Sequence, residues 1–488
     1  MRFELTFGTS RTPRRRDEGE PWRILILSDL RGNAAEVPER ILERPLVRVD
    51  ADNIDDVLAR HAPSVVLGAQ GGGERLRFRT FEDFHPDALV ENTPLFGRLL
   101  DLRRRLEHPG TFASAVAELR AEAAAGDAVT PEDVAPRAET DDGRSTFERL
   151  LGERTAAQPI AQEPPSAFST IDSLIRRIVA PHIVPAVDPQ LPQLLSAVDV
   201  AMGDVMRRVL HDPGFQDVEA TWRGIQWLVS SLELGEELEL YLFHVTRDEL
   251  SQGAGPESDP YRRLVDREAR TQGGLELSAL IGNYRFGATP EDLTALESMG
   301  ALARAVGAPF VAECGAGLLG SSAVALQPDP RGWTPLDPEI DARWSALRAG
   351  PVAPYVGLAL PRFLLRLPYG GRSEPIEAFR FEEQPPRPEH ESFLWGNPAF
   401  ACAAIMARVL QADGAPPDAG DITGLPAFVS TAADEPRLQP CAEVCLTERA
   451  VEAILARGIM PLVGFKDRDA ARLVRLQSIA DSPTALGG

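Results

Sequence analysis

At 488 residues the chain is too long for one ordinary core, and with 43% hydrophobic and 25% charged residues it has the profile of a globular protein of roughly two to four domains. Its 73 acidic against 51 basic residues give a net charge of −22, which denies it the basic face that nucleic acid requires. No apolar stretch approaches the roughly 18 residues that span a bilayer, the acidic residues ahead of Trp22 do not make a secretory leader, and four cysteines fit a reducing cytoplasm.

The N-terminal elements come first. Phe3 to Phe7 alternates apolar and polar residues, as an exposed edge strand does, and Arg11, Arg14, Arg15 and Arg16 form a basic cluster after it. Trp22 to Leu27 predicts a strand closed by Ser28-Asp29-Leu30-Arg31-Gly32, and Leu46 to Val49 a short second strand running into Asp50. Asn53 to His61 has helical spacing, with Ile54, Val57 and Leu58 on one face and Asp52 or Asn53 as its N-cap. Leu76 to Phe78 reads as a strand. Phe84 to Val90 and Leu95 to Leu106 read as helices, the second exposing Arg98 and Arg103 to Arg105.

Residues 126–167 change character, with Pro131, Pro136, Pro159, Pro164 and Pro165 among Ala, Glu and Asp, and predict a flexible linker with one short helix near Ser145 to Leu151. Beyond it Ile171, Leu174, Ile175 and Ile178 lie at helical spacing, and Leu191 to Leu210 carries the stripe Leu194, Leu195, Val198, Met202, Val205 and Met206. Leu238 to Val245 predicts a strand, and another is expected to start at Ala308-Pro309-Phe310.

One run carries more information than any other: His211-Asp212-Pro213-Gly214-Phe215-Gln216-Asp217-Val218-Glu219-Ala220-Thr221-Trp222-Arg223-Gly224. It resembles the H-x-P-x-F-Q-x-L-E-x-x-W-R-G hallmark of the large subunit of the type VI secretion contractile sheath. Later landmarks occur in that family's order. They include Leu280 to Phe286, then Leu360-Pro361-Arg362-Phe363-Leu364-Leu365-Arg366-Leu367-Pro368-Tyr369-Gly370, Phe379 to Glu383, and Leu394-Trp395-Gly396-Asn397-Pro398-Ala399. The N-terminal part resembles the small sheath subunit through Val49-Asp50-Ala51-Asp52-Asn53-Ile54-Asp55-Asp56-Val57-Leu58, Phe81 to Asp87 and Leu99 to Arg103. Two subunits that the family keeps on separate chains are thus expected on one, as residues 1–125 and 168–488 joined by the linker, with the large-subunit part shorter at its C-terminus than the family's.

The resemblance implies an α/β fold with mixed α+β sheets and packed helices in a contractile tail-sheath-like multi-domain architecture. It also implies a structural rather than catalytic role. Protomers would form a polymer around an inner tube protein, meet a baseplate, contract to drive effector delivery, and be recycled by an AAA+ unfoldase. The unfoldase would recognise a helix for which Ile171, Leu174, Ile175 and Ile178 are the best match. His211, Phe215, Glu219, Trp222, Arg223, Gly224, Pro361, Arg362, Arg366, Tyr369, Trp395, Gly396 and Asn397 are the family-motif residues, expected to act structurally. A non-polymerising sheath or baseplate adaptor is the alternative.

Other motifs favour plain readings. Gly315-Ala316-Gly317-Leu318-Leu319-Gly320 is a formal G-x-G-x-x-G after a strand, the basis of a remote nucleotide-dependent oxidoreductase reading. Pro328 and Pro330 interrupt the chain soon after it, so a Gly-rich strand-to-helix turn is favoured. Cys441 and Cys445 lack the second ligand pair that zinc needs, so no metal is expected and Cys441 reads as a buried residue of a strand. Asp50, Asp52, Asp55 and Asp56 fail the EF-hand template, because His61 stands where the closing Glu belongs. Phe215 and Trp222 read as core anchors, Arg223 as the bidentate partner of Glu219 four residues earlier, and no cofactor is called for. The Arg11 to Arg16 cluster is either a solvated loop or an electrostatic clasp on another protomer.

Overall fold

The computed structural model describes residues 20–34, 39–68, 73–127, 191–251, 255–269, 271, 274–385, 388–411, 420–432, 435–466, 468–482 and 486. The edge strand at Phe3 to Phe7, the Arg11 to Arg16 cluster, most of the predicted linker and the helix at Ile171 to Ile178 lie outside them.

The chain divides into two compact units, one holding residues 1–66, 75–89 and 210–488, the other 67–74 and 90–209. The larger is organised by a nine-stranded sheet. Its strands are β1 (Trp22–Ser28), β2 (Val47–Val49), β5 (Leu238–His244), β6 (Ala279–Phe286), β7 (Phe310–Cys314), β8 (Val356–Leu360), β11 (Gly420–Thr423), β14 (Met460–Gly464) and β15 (Ala470–Leu473). Small two-stranded sheets pair β3 (Ser64–Val66) with β4 (Arg75–Arg77), β9 (Phe363–Leu364) with β10 (Trp395–Gly396), and β12 (Phe428–Ala432) with β13 (Glu435–Gln439).

The large sheet runs β11-β15-β14-β8-β7-β6-β1-β5-β2. Its six central strands, from β14 to β5, pair in parallel, and β2, β15 and β11 finish the two ends antiparallel. Parallel strands are covered on both faces and need apolar side chains throughout. That is why Ile24, Leu25, Ile26 and Leu27 of β1 are all fully buried.

Among the described residues the α-helices of five or more residues are α1 (Ile54–His61), α2 (Pro86–Asn92), α3 (Pro94–Glu107), α4 (Phe112–Asp127), α5 (Leu191–Leu210), α6 (Pro213–Ser231), α7 (Arg247–Ser251), α8 (Pro290–Val306), α9 (Pro338–Ala349), α10 (Pro398–Gln411) and α11 (Glu448–Ala456). One face of the sheet, with Leu25, Leu27, Leu280, Phe310 and Leu358, packs with Leu296, Met299 and Leu302 of α8 and with Trp344 of α9. Helix α10 packs against the sheet and against α6. Its small residues Ala399, Ala401, Cys402, Ala403 and Ala404 are all buried, so this helix sits close to the sheet.

In the smaller unit α3 and α4 form a hairpin, and the Arg103 Nε–Asp199 Oδ1 pair at 3.0 Å ties α3 to α5. The α5 stripe is as expected from its spacing: Leu194, Val198, Met202, Val205 and Met206 are buried, and Leu195 is half-buried.

Four local expectations are corrected. The helix expected from Phe84 starts at Pro86, after a 3₁₀ turn over Phe81–Phe84 whose Thr80 and Asp83 form a capping box. Asn53 occupies the N-cap position of α1 without capping it: its side chain accepts from the Asp50 amide, while Asp50 accepts from the amides of Asp52 and Asn53. Short polar side chains often close such local turns in place of a cap. Arg103 and Arg105 are half-buried and ion-paired rather than exposed. Cys441 is buried, as expected, but lies outside any strand, beside a single bridge between Ala442 and Phe363.

Candidate functional site

The motif residues converge on the larger unit. Helix α6 begins at Asp212, whose carboxylate accepts from the amides of Gly214 (2.9 Å) and Phe215 (3.2 Å), with Pro213 at the first helical position. One face of α6 reaches the N-terminal segment. Phe215 meets Phe78 and Phe84 edge-on, at ring separations of 5.6 and 6.1 Å. Trp222 is fully buried, lies 5.7 Å from the His61 ring, and donates its indole N–H to Leu30 O at 3.2 Å. Gly224 is required by close approach, since a Cβ there would lie 2.5 Å from the Phe400 ring of α10.

Between Phe215 and Trp222, on the same side of α6, begins a buried charge cluster. Glu219, with no exposed surface, accepts from Arg223 Nε (2.7 Å) and from Arg366 Nε (2.9 Å). Arg366 continues to Glu383 through Nη1 (2.8 Å) and Nη2 (3.1 Å), and its guanidinium lies 4.4 Å from the centre of the Tyr369 ring. Arg223 Nη2 donates to the Tyr369 hydroxyl, the Tyr369 amide donates to Glu383, and His211 Nε2 stands 3.5 Å from Glu383 Oε1.

Burial opposes every charge in this cluster, yet the pairing wins. The carboxylates of Glu219 and Glu383 hold Arg366 well above its ordinary range, and Arg366, His211 and the Tyr369 amide bring Glu383 down to about 2. Burial pushes the Tyr369 hydroxyl up to about 12. Arg223 thus meets Glu219 through one nitrogen. The bidentate guanidinium is Arg366, 147 residues away, which the spacing on α6 gave no means to find.

A second cluster lies along the β8–β9 connection. Arg362 meets Glu443 through its amide (2.8 Å) and Nε (2.7 Å) and reaches Glu391 through Nη2 (3.0 Å). His390 Nε2 lies 2.9 Å from Glu443, and, despite burial, these partners bring Glu443 down to about 2. Trp395 stacks on His390 at 4.9 Å and donates to its carbonyl, and a Cβ on Gly396 would lie 2.7 Å from Leu365. Asn397 accepts the Ala399 amide at 2.9 Å, opening α10 ahead of Pro398. Pro361 lies between β8 and the first residue of this cluster.

Gly315 to Gly320 forms a 3₁₀ turn and not the expected strand-to-helix turn; the next α-helix, α9, begins only at Pro338. Gly320 has φ 75°, and a Cβ there would lie 1.7 Å from Thr334 O, so its hydrogen serves packing against the chain's own backbone. Among the described residues no cluster of three or more His, Cys, Asp or Glu is arranged to hold a metal, and no helix is long and apolar enough to cross a membrane.

Residues 192–480 match the VipB family (EvpB/VC_A0108, tail sheath N-terminal domain), and residues 1–122 match the family described as Type VI secretion system, VipA, VC_A0107 or Hcp2. The chain belongs to the type VI secretion sheath family. It is similar to the type VI secretion system sheath protein TssC1 of Pseudomonas aeruginosa, 28% identical over 59% of this chain and 61% of that protein. It is also similar to sheath protein TssB1 of the same organism, 26% identical over 19% of this chain and 58% of that protein. The chain therefore spans about three fifths of the length of each of these curated relatives. Phe78, Phe84, His61 and Leu30, which meet α6, lie in the VipA-matched stretch, so the motif helix of this sheath chain is also the seam between its two family stretches.

The same seam is expected to weaken in acid. The Leu30 amide donates to His244 Nδ1 at 3.1 Å, which requires that nitrogen to be unprotonated. Burial, reinforced by Arg44 and Arg31 against the opposing pull of Asp29, lowers His244 to about 4. The unfolded chain takes the proton near 6.5 and the folded chain only near 4. Stability therefore falls as pH drops through that window, by about 3 kcal/mol from this group. His61 is lowered as well and acts in the same direction. A His244→Asn variant, which keeps an acceptor but not the titration, is expected to show a flatter melting temperature between pH 6.5 and 4. An unchanged slope would remove His244 from the account.

Proposed function

We propose that the chain is a structural subunit of a type VI secretion contractile sheath, polymerising in the cytoplasm around an inner tube protein and contracting to drive effector delivery. One observation carries the reading: β1, from the VipA-matched stretch, lies between β5 and β6, from the VipB-matched stretch, and pairs in parallel with both. Neither stretch completes the sheet alone, so a single chain supplies both sheath families at a fixed 1:1 ratio. The role is mechanical and uses no cofactor, and the charged motif residues serve packing. In this reading residues 1–125 are the small-subunit part and residues 168–488 the large-subunit part, joined by the stretch 126–167. The other partners are the baseplate and an AAA+ unfoldase that engages Ile171, Leu174, Ile175 and Ile178.

Negative-stain electron microscopy of the purified chain, with pelleting in the ultracentrifuge, tests the polymer. Hollow tubes in the pellet are the expected result. Monodisperse particles that stay in the supernatant, with or without inner tube protein, would remove the polymer role and leave a sheath or baseplate adaptor.

A further inference from the structure

The strand order places an unassigned crevice where doubly wound sheets hold ligands. From β1 the succession runs to β5 on one side and to β6, β7 and β8 on the other. In open parallel sheets of this kind, ligands bind beyond the carboxyl ends of the strands at the point where the order reverses. A cavity of about 570 Å³ lies there, at the ends of β1, β6 and β7 (Ser28, Asn283 and Glu313) and beside the first turn of α6. That volume suits a small molecule. A second cavity of about 240 Å³ adjoins it and shares Arg285, Glu313 and Arg362.

The crevice offers an anion few free donors, the Arg247 Nε being the buried one left without a partner. The usual phosphate cradle is the run of free amides after the first strand and at a helix N-terminus. Here the amides of Arg31 and Gly32 already donate to Asp29 Oδ1 (3.0 and 3.1 Å), and those of Gly214 and Phe215 to Asp212. The three guanidiniums that line it are also engaged: Arg247 with Asp292, Arg285 with Glu313 at 2.6 Å, and Arg362 with Glu443 and Glu391.

Two lining carboxylates remain. Asp217 and Asp248 form no hydrogen bond or ion pair among the described residues. Both carboxylates keep contact with solvent, and partial desolvation, in part offset by Arg285 and Arg362, raises Asp217 from its ordinary value. Trp395 contributes an aromatic wall, a surface that favours cations.

We propose that this crevice binds a small organic cation, an aliphatic polyamine or a free guanidinium compound, with Asp217 and Asp248 as its counter-charges.

Isothermal titration calorimetry of the full chain with spermidine and with agmatine tests it, at near-physiological salt so that loosely held counterions are screened. One saturable site is expected for at least one of the two probes. The double variant Asp217→Asn/Asp248→Asn is expected to bind that probe about tenfold more weakly or worse. It removes only two of 73 acidic residues, so diffuse attraction to the acidic chain is nearly unchanged. Asp55→Asn/Asp56→Asn, which removes two exposed carboxylates of α1, is the matched control and is expected to bind like the parent chain. Near-ultraviolet circular dichroism establishes that each variant is folded. Equal affinity in the crevice variant, equal loss in the α1 control, no saturable binding of either probe, or binding of a nucleotide in their place would each overturn the proposal.

Discussion

Replacing Arg366 with methionine is expected to lower the unfolding free energy by about 3–5 kcal/mol, because it leaves Glu219 and Glu383 buried without their shared cation. Domains are stable by only about 5–15 kcal/mol, so a loss of this size should also reduce the soluble yield. Denaturant titration of the variant reads the effect directly, and the midpoint should fall with little change in slope. Glu219→Gln added to Arg366→Met should cost much less than the two losses summed, since the second change relieves the charge that the first stranded. Glu383, brought down to about 2, should make the parent chain lose stability as pH falls from about 4.5 toward 2. The two windows overlap only near pH 4 to 4.5, so losses above that range report His244 and losses below it report Glu383. A loss under about 1 kcal/mol for Arg366→Met would place the cluster among ion pairs that only break even.

Trp222→Ala is expected to cost about as much, roughly 3–5 kcal/mol, through the cavity left by a fully buried indole. Its signature differs. The indole N–H is a partner of Leu30 O, and the Leu30 amide in turn donates to His244, so both polar groups of Leu30 depend on neighbours from the VipB-matched stretch. Amide exchange at Leu30, Arg31 and Gly32 should therefore quicken in Trp222→Ala well beyond what the global loss of stability accounts for. Trp222→Phe fills most of the volume but leaves Leu30 O unpaired, and is expected to lose about 1–3 kcal/mol. Exchange at Leu30 that tracks only global unfolding would show that Trp222 fills space without holding the seam.

The central parallel strand was readable because burial on both faces leaves a continuous apolar run at Ile24 to Leu27, and Leu238 to Val245 because Leu238, Leu240 and Leu242 alternate with more exposed Glu239 and Tyr241. The stripe of α5 was readable for the same reason at helical spacing. The Glu219–Arg223 pair was found because four residues on a helix is one turn. Arg366 and Glu383 completed it unseen, since nothing in local periodicity brings residue 366 to residue 219. Asn53 misled because its side chain can serve either a cap or a local turn, and the geometry of Asp50 decided for the turn. Cys441 was read as part of a strand, and Glu443, two residues on, instead anchors Arg362 and His390 from a loop. The crevice went unread because it belongs to the order of strands across the sheet, which no single segment encodes.

The position of β1 also sets a timetable for synthesis. Its partners begin at Leu238 and Ala279, more than two hundred residues after Trp22. At about 5–20 residues per second, a ribosome needs roughly 10–50 s after making β1 to deliver both. Through that interval Ile24 to Leu27 is a strand with neither neighbour, the kind of exposed apolar edge on which nascent chains aggregate. Joining two subunits in one polypeptide secures their ratio, but it leaves the central strand waiting for both its neighbours until synthesis has passed Phe286.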